Sequence, residues 1–272
     1  MASSKKTYIC GCARNCERFL LNVFANIEKI GALFDEYKIL VAYDKSNDKT
    51  LRMLCDLKKQ FPTMEIMVNP QEPTPFRTQN IANARNLMLQ YIRKENNDDY
   101  QYFIMIDLDD VCSGDLNTNI LNPYLKKDGI SDWDALSFNR PIYYDLWALS
   151  IEPYVFSCWH FVNGRKVVND MRDFITAKLE ETPKTELLEC MSAFNGFAIY
   201  RKNMFDGVEY EWNINKNLEL IPRNLIEYNM VKTGDIIKSN NTEEDCEHRY
   251  FHIRATQLNG ARIRISPNKL FL

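Results

Sequence analysis

Between residues 7 and 106 the chain alternates short β-rich apolar runs with longer amphipathic stretches, and this alternation limits its fold more than any other feature. Residues 7–12 read as a strand, and residues 14–33 carry Phe19, Leu20, Val23, Ile27 and Ile30 at helical spacing. A second strand over 37–43 ends in the polar cluster 44–49, from which 50–61 continues as an amphipathic helix, and 64–68 reads as a third strand. Pro70, Pro73 and Pro75 make 69–75 a loop, because proline suits neither a helix interior nor a central strand. A helix over 81–95, with Ala82, Ala84, Leu87, Leu89 and Ile92, then leads into Tyr102-Phe103-Ile104-Met105-Ile106, an apolar run expected of a strand buried on both faces. Units linked this way predict an α/β fold, a mainly parallel sheet flanked by helices, with ligands at the carboxyl ends of the strands.

The second half is less regular. Residues 134–138, 193–200 and 249–253 read as strands, 170–181 as a helix, and 262–272 as a loosely packed tail. With no internal repeat and no linker, one domain over 1–272 is expected. A chain of 272 residues with 45% hydrophobic and 26% charged residues is neither disordered nor a disulfide miniprotein, and a net charge of -3 provides no global field for nucleic acid. No apolar run approaches the roughly 18–20 residues of a membrane helix, and the polar start lacks a signal region, so a cytoplasmic protein without a membrane span is expected. The eight cysteines, Cys158 among them, are then expected as free thiols. The spacing Cys10-Gly11-Cys12-x-x-x-Cys16 is not the C-x₂-C of zinc sites.

Chemistry collects at Asp107-Leu108-Asp109-Asp110, where the apolar strand ends. Carboxylates this close repel unless protons or a cation neutralise them, and hard oxygen ligands suit Mn²⁺ or Mg²⁺. Asp44 and Asp48 end an earlier strand and are expected on the same rim, where one carboxylate can take hydrogen bonds from a base or ribose while another holds metal. Arg77 and Arg85 lie between these acidic turns and can offer bidentate forks to phosphate or carboxylate. The flat faces of Tyr143, Tyr144, Trp147 and Trp159, beside Asp145 and Asn195, suit a sugar, although aromatic residues are more often core. His248 and His252 share one face if 249–253 is a strand.

The series Ala13-Arg14-Asn15, Asp44-x-Ser46-x-Asp48-x-Thr50, Ala84-Arg85-Asn86 and Asp107-x-Asp109-Asp110 resembles the nucleotide-sugar glycosyltransferases of GT-A type over roughly the first 110 residues. Two later segments, 143–148 and 192–200, are similar to fungal capsule-associated mannosyltransferases and to viral glycosyltransferases. The resemblance implies a GT-A-like fold with a nucleotide-sugar-binding half over 7–112 and an acceptor-binding half over 113–272. It implies transfer of a hexose or pentose from a nucleotide-diphosphate donor to a hydroxyl of a glycan, glycoprotein or other acceptor. Donor binding falls to Arg14, Asp44, Arg77, Arg85 and Asp107, and metal binding to Asp107, Asp109 and a late histidine, His252 before His248. Tyr144, Trp147, Asn195 and Gly196 are then acceptor candidates, and Glu247 and Asp145 are candidate bases. Asp107-Leu108-Asp109 also resembles the haloacid-dehalogenase phosphatase motif, with Asp107 as nucleophile and Asp109 as acid/base, but that family carries the motif on its first strand, and Lys232 and Asp235 do not complete its later signature. A third reading is a GT-A-like module that binds nucleotide or glycan without turnover.

Overall fold

The computed structural model describes residues 5–70, 72–126, 129–156, 164–234 and 243–272. Trp159, Cys158 and Asp235 lie outside these residues.

The first half folds as its alternation predicts. Strand β1 (Lys6–Ala13) is followed by α1 (Leu20–Gly31), β2 (Glu36–Tyr43), α2 (Thr50–Gln60), β3 (Glu65–Val68), α3 (Arg77–Glu95) and β4 (Tyr100–Ile106). Asp48 starts α2 by accepting from the Thr50 amide at 2.9 Å, and Asn96, left-handed at φ 43°, ends α3. The second half adds α4 (Asn122–Leu125), β5 (Ala135–Asn139), α5 (Gly164–Glu181), β6 (Leu188–Glu189), β7 (Phe197–Arg201), α6 (Ile214–Leu220), α7 (Arg223–Thr233), α8 (Glu247–Asn259) and β8 (Ile263–Lys269).

One eight-stranded sheet runs through both halves in the order β3-β2-β1-β4-β7-β5-β8-β6. β1, β2, β3 and β4 pair in parallel, whereas β7 runs antiparallel between β4 and β5, so the sheet is mixed. Alternation along the strands splits the core. Tyr8, Cys10, Phe103, Met105 and Tyr200 face one apolar layer with α3, α5 and α8, and Ile9, Val41, Ile104, Ile106 and Phe197 face another with α1 and α2. No helix among the described residues is long and apolar enough to cross a membrane.

Two sequence expectations are corrected. Residues 249–253 are not a strand but the middle of α8, which buries Glu247, His248, Arg249, Phe251, His252, Ile253 and Ala255; a helix covered around most of its circumference loses its 3.6-residue pattern. Residues 262–272 are not a loose tail, because Ile263 and Ile265 are buried in β8 while Arg262 and Arg264 lie beside Asp132.

Candidate active site

From β1 the chain moves outward to β2 and β3 and then returns to β4 on the other side of β1, which opens a crevice at the carboxyl ends of β1 and β4. Asp107 follows β4 directly, its amide donating to the Gly196 carbonyl at 2.9 Å. Leu108 turns inward over Gly11, where a Cβ would stand 2.6 Å from the Leu108 Cγ. Because Leu108 is held inside, Asp107 and Asp109 are left half-buried on the crevice side. Asp109 Oδ1 accepts from the Val111 amide at 3.1 Å.

Asp107 is gripped from two sides. The Tyr144 hydroxyl donates to Oδ2 at 2.7 Å, and Arg85 of α3 stands 3.6 Å from Oδ1. Arg85 also pairs with Glu247 in the first turn of α8, and its guanidinium lies over Phe194 at 4.8 Å and Tyr210 at 5.5 Å. Burial works against the Arg85 charge, but Glu247 and Asp107 outweigh it. Burial raises the Glu247 carboxyl, and Arg85 opposes that rise. Burial and then the Asp107 charge push Asp109 up to about 7 and Asp145 up to about 6. Asp107, Asp145, Arg85, Arg77 and Glu247 line a common cavity of about 290 Å³.

The remaining expected residues divide. Asp44 follows β2, its amide bonded to the Ala13 carbonyl at 3.0 Å. Around it Ser46 Oγ accepts from the Asn15 amide at 3.1 Å and Asn15 Oδ1 from the Asn47 amide at 2.7 Å, so the loops after β1 and β2 are sewn together. Arg14 and Arg77 are exposed at this rim. Asn195 and Gly196, expected to meet the acceptor, instead shape the backbone. Asn195 Oδ1 accepts from the Tyr144 and Asp145 amides at 3.2 and 3.3 Å, and its Nδ2 donates to the Phe138 carbonyl at 2.9 Å. Gly196 sits at φ +85° with the place of a Cβ 2.6 Å from Val111 Cγ1. His252, the preferred metal ligand, is also corrected: its ring nitrogens bond Ser192 Oγ at 3.0 Å and Tyr200 OH at 3.1 Å. His248 lines the cavity, with Nε2 3.9 Å from Glu247 Oε1. Arg140 was not anticipated; it donates to the Asn195 carbonyl at 2.8 Å and the Val111 carbonyl at 2.6 Å, tying the two turns behind Asp107. Only its distant partners reveal this role, and no local motif marks it.

The donor chemistry at β4 fits a hard divalent ion. Asp109 forms no ion pair among the described residues, and burial together with the neighbouring Asp107 charge raises its carboxyl, a repulsion that a bound cation would relieve. Among the described residues no set of three His, Cys, Asp or Glu side chains is gathered into a cage, so ligands from a bound substrate or water would complete the shell.

A mixed α/β sheet with carboxylates gathered at the crevice beside its switch point defines an α/β protein with a ligand-binding rim. Residues 8–207 match the model of glycosyl transferase family 2, and the chain belongs to that family. Solved structures similar to it include TarS of S. aureus, at 15% identity and a TM-score of 0.47 over 98% of this chain and 36% of that one. They also include the mannosyltransferase PcManGT from Pyrobaculum calidifontis in complex with GDP-Man and Mn²⁺, at 13% identity and 0.44 over 75% and 47%. Glucosyl-3-phosphoglycerate synthase from Mycobacterium tuberculosis is similar at 12% identity and 0.39 over 76% and 59%. The chain thus spans between 36% and 59% of the length of these three. No curated protein matches the sequence.

Proposed function

We propose that the protein transfers a sugar from a nucleotide-diphosphate donor to a hydroxyl acceptor. The observation that carries this reading is the pairing of Asp107 and Asp109 at the β1/β4 crevice opposite Arg85, in a member of glycosyl transferase family 2. Family membership and the position of Asp107 directly after the fourth strand both speak against the phosphatase alternative.

In this reading Asp109 and Asp107 hold Mn²⁺ or Mg²⁺, which when bound offsets charge on the diphosphate leaving group. Asp44 and the exposed Arg14 and Arg77 receive the nucleotide at the rim. Glu247 and Asp107 keep Arg85 charged and aimed into the crevice. Asp145, raised to about 6, accepts the proton of the acceptor hydroxyl, a role that calls for an affinity near the working pH.

Thermal unfolding with UDP, GDP, CDP and their sugars, with and without Mn²⁺, tests the proposal. A ligand at 100 times its Kd adds about 2.7 kcal/mol, and only a metal-dependent shift is expected. Asp109→Asn abolishes that shift and transfer while leaving the fold intact; an undiminished shift in this variant sinks the metal assignment. Asp145→Asn lowers kcat by roughly 10²–10⁴-fold with the nucleotide shift retained. Nucleotide binding with no turnover on any hydroxyl acceptor would favour the non-catalytic module instead.

A further inference from the structure

The cavity that holds Asp107 has a second wall built from Trp147, Val168 and Arg172 of α5, Phe194 and His248. On it the indole Nε1 of Trp147, the Nε of Arg172 and both ring nitrogens of His248 are buried and make no hydrogen bond among the described residues. Indole and guanidinium N–H groups only donate, so a group that pairs with them must accept. The carboxylates of the cavity are engaged elsewhere: Asp107 with Tyr144 and Arg85, Glu247 with Arg85, and Asp145 Oδ1 with the Ala148 amide at 3.1 Å. Arg172 forms no ion pair among the described residues, in contrast to Arg85 in the same cavity. His248 is 1% exposed and stacks on Phe194 at 3.9 Å.

We propose that this wall is the acceptor subsite and that it selects an acceptor bearing an anionic group, a carboxylate or a phosphate, whose oxygens take the N–H groups of Trp147 and Arg172. The inference rests on the transferase reading. Asp145 and Trp147 belong to one short loop, so the loop that offers a base to the acceptor hydroxyl also offers a donor to its anion. Asn195 fixes that loop through the Tyr144 and Asp145 amides. Charge-assisted bonds of this kind are the stronger ones, and removing the cation removes the preference.

The indole N–H resonance of Trp147, identified by its loss in Trp147→Phe, reports the site directly. It is followed in the whole protein with Mg²⁺, which unlike paramagnetic Mn²⁺ leaves a resonance in the same cavity observable, and the nucleoside diphosphate that stabilises it, while glucuronate, glucose 6-phosphate or glucose is added. One or both anionic sugars should shift it saturably at concentrations about tenfold or more below glucose, and their order identifies the preferred anion. Arg172→Gln should bring the three sugars together, and Arg172→Lys should restore part of the difference. Equal response to glucose and both anions, no response to either anion, or a preference that survives Arg172→Gln overturns the proposal. If a nucleotide binds and the anions do not, this inference alone fails. If no nucleotide binds, the transferase reading fails, and an anion response measured without nucleotide removes the acceptor role.

Discussion

Asp109 carries a charge where its neighbours oppose it. Burial and Asp107 lift its carboxyl from 3.8 to about 7, and the unfolded chain has no such penalty. Without metal, Asp109→Asn should therefore stabilise the protein at pH 8 by on the order of 4 kcal/mol, since each pKa unit is worth about 1.4 kcal/mol. Denaturant unfolding in EDTA measures this, and a neutral or destabilising result would mean that the repulsion is relieved in solution. The variant would gain stability and lose metal, a trade found where charges are held for function. His252 acts in the opposite direction. Burial, with Arg85 and Arg249 nearby, lowers it from 6.5 to about 3, and His248 is lowered well below 6.5 for the same first reason. As pH falls below about 6.5 the unfolded chain takes protons that the native histidines refuse, so the stability they confer, intact above 6.5, is lost toward pH 3. The loss approaches about 1.4 kcal/mol per pH unit for each histidine. His252→Gln should be less stable at pH 7.5 yet show a shallower decline to pH 5; an unchanged slope would dismiss the assignment.

At the scale of elements, the site depends on two turns that meet behind β4. Asp107 hangs on the Gly196 carbonyl, and Gly196 needs both its positive φ and the space that Val111 leaves. Gly196→Ala combines backbone strain with overpacking and should cost about 1–3 kcal/mol and weaken the metal-dependent nucleotide shift more than Tm alone accounts for. A normal shift at full occupancy would show that the turn does not position Asp107. The parts of the fold legible in the sequence were those with local signals. The apolar run of β4 ends in acid, and Asp48 of the polar cluster accepts from the Thr50 amide where α2 begins. Ile263 and Ile265 alternate with Arg262 and Arg264, a period-two pattern that fits β8 rather than the tail expected there. α8 left no such trace, because a helix buried on nearly every side has no periodic face. At the site, Asp107, Asp109 and Arg85 could be picked from motifs. Arg140 and Arg172 could not, because each matters through segments far away in sequence. The setting of His252 is illegible for the same reason: its partners, Ser192 and Tyr200, lie far away in sequence.

Across the whole molecule the two halves share one sheet, joined where β7 pairs with β4, and the end of the chain ties the outer strands of the second half together. β8 lies between β5 and β6, and Ile263, Ile265, Leu270 and Phe271 are buried. The same segment reaches the acidic loop: the Leu272 amide donates to the Asp115 carbonyl at 2.9 Å, the Asn117 amide to the Leu270 carbonyl at 2.9 Å, and Arg140 lies over Phe271 at 4.5 Å. Residues 263–272 thus support both the sheet and the turn that carries Asp109. Burying four large apolar side chains contributes roughly 6–12 kcal/mol at about 1.5–3 kcal/mol each, against a total stability of about 5–15 kcal/mol for a typical protein. Deleting 263–272 should therefore abolish cooperative unfolding, with the near-ultraviolet circular dichroism and dispersed methyl resonances of the native protein lost. A mere trimming of a peripheral strand predicts something else, a Tm lowered by a few degrees with the Mn²⁺-dependent nucleotide shift preserved. That outcome would mean that β1 to β4 form a self-sufficient unit. Here the Asn26 amide group, which holds the Cys112 and Gly114 carbonyls at 3.0 and 2.8 Å, would be enough to fix the acidic loop from the α1 side.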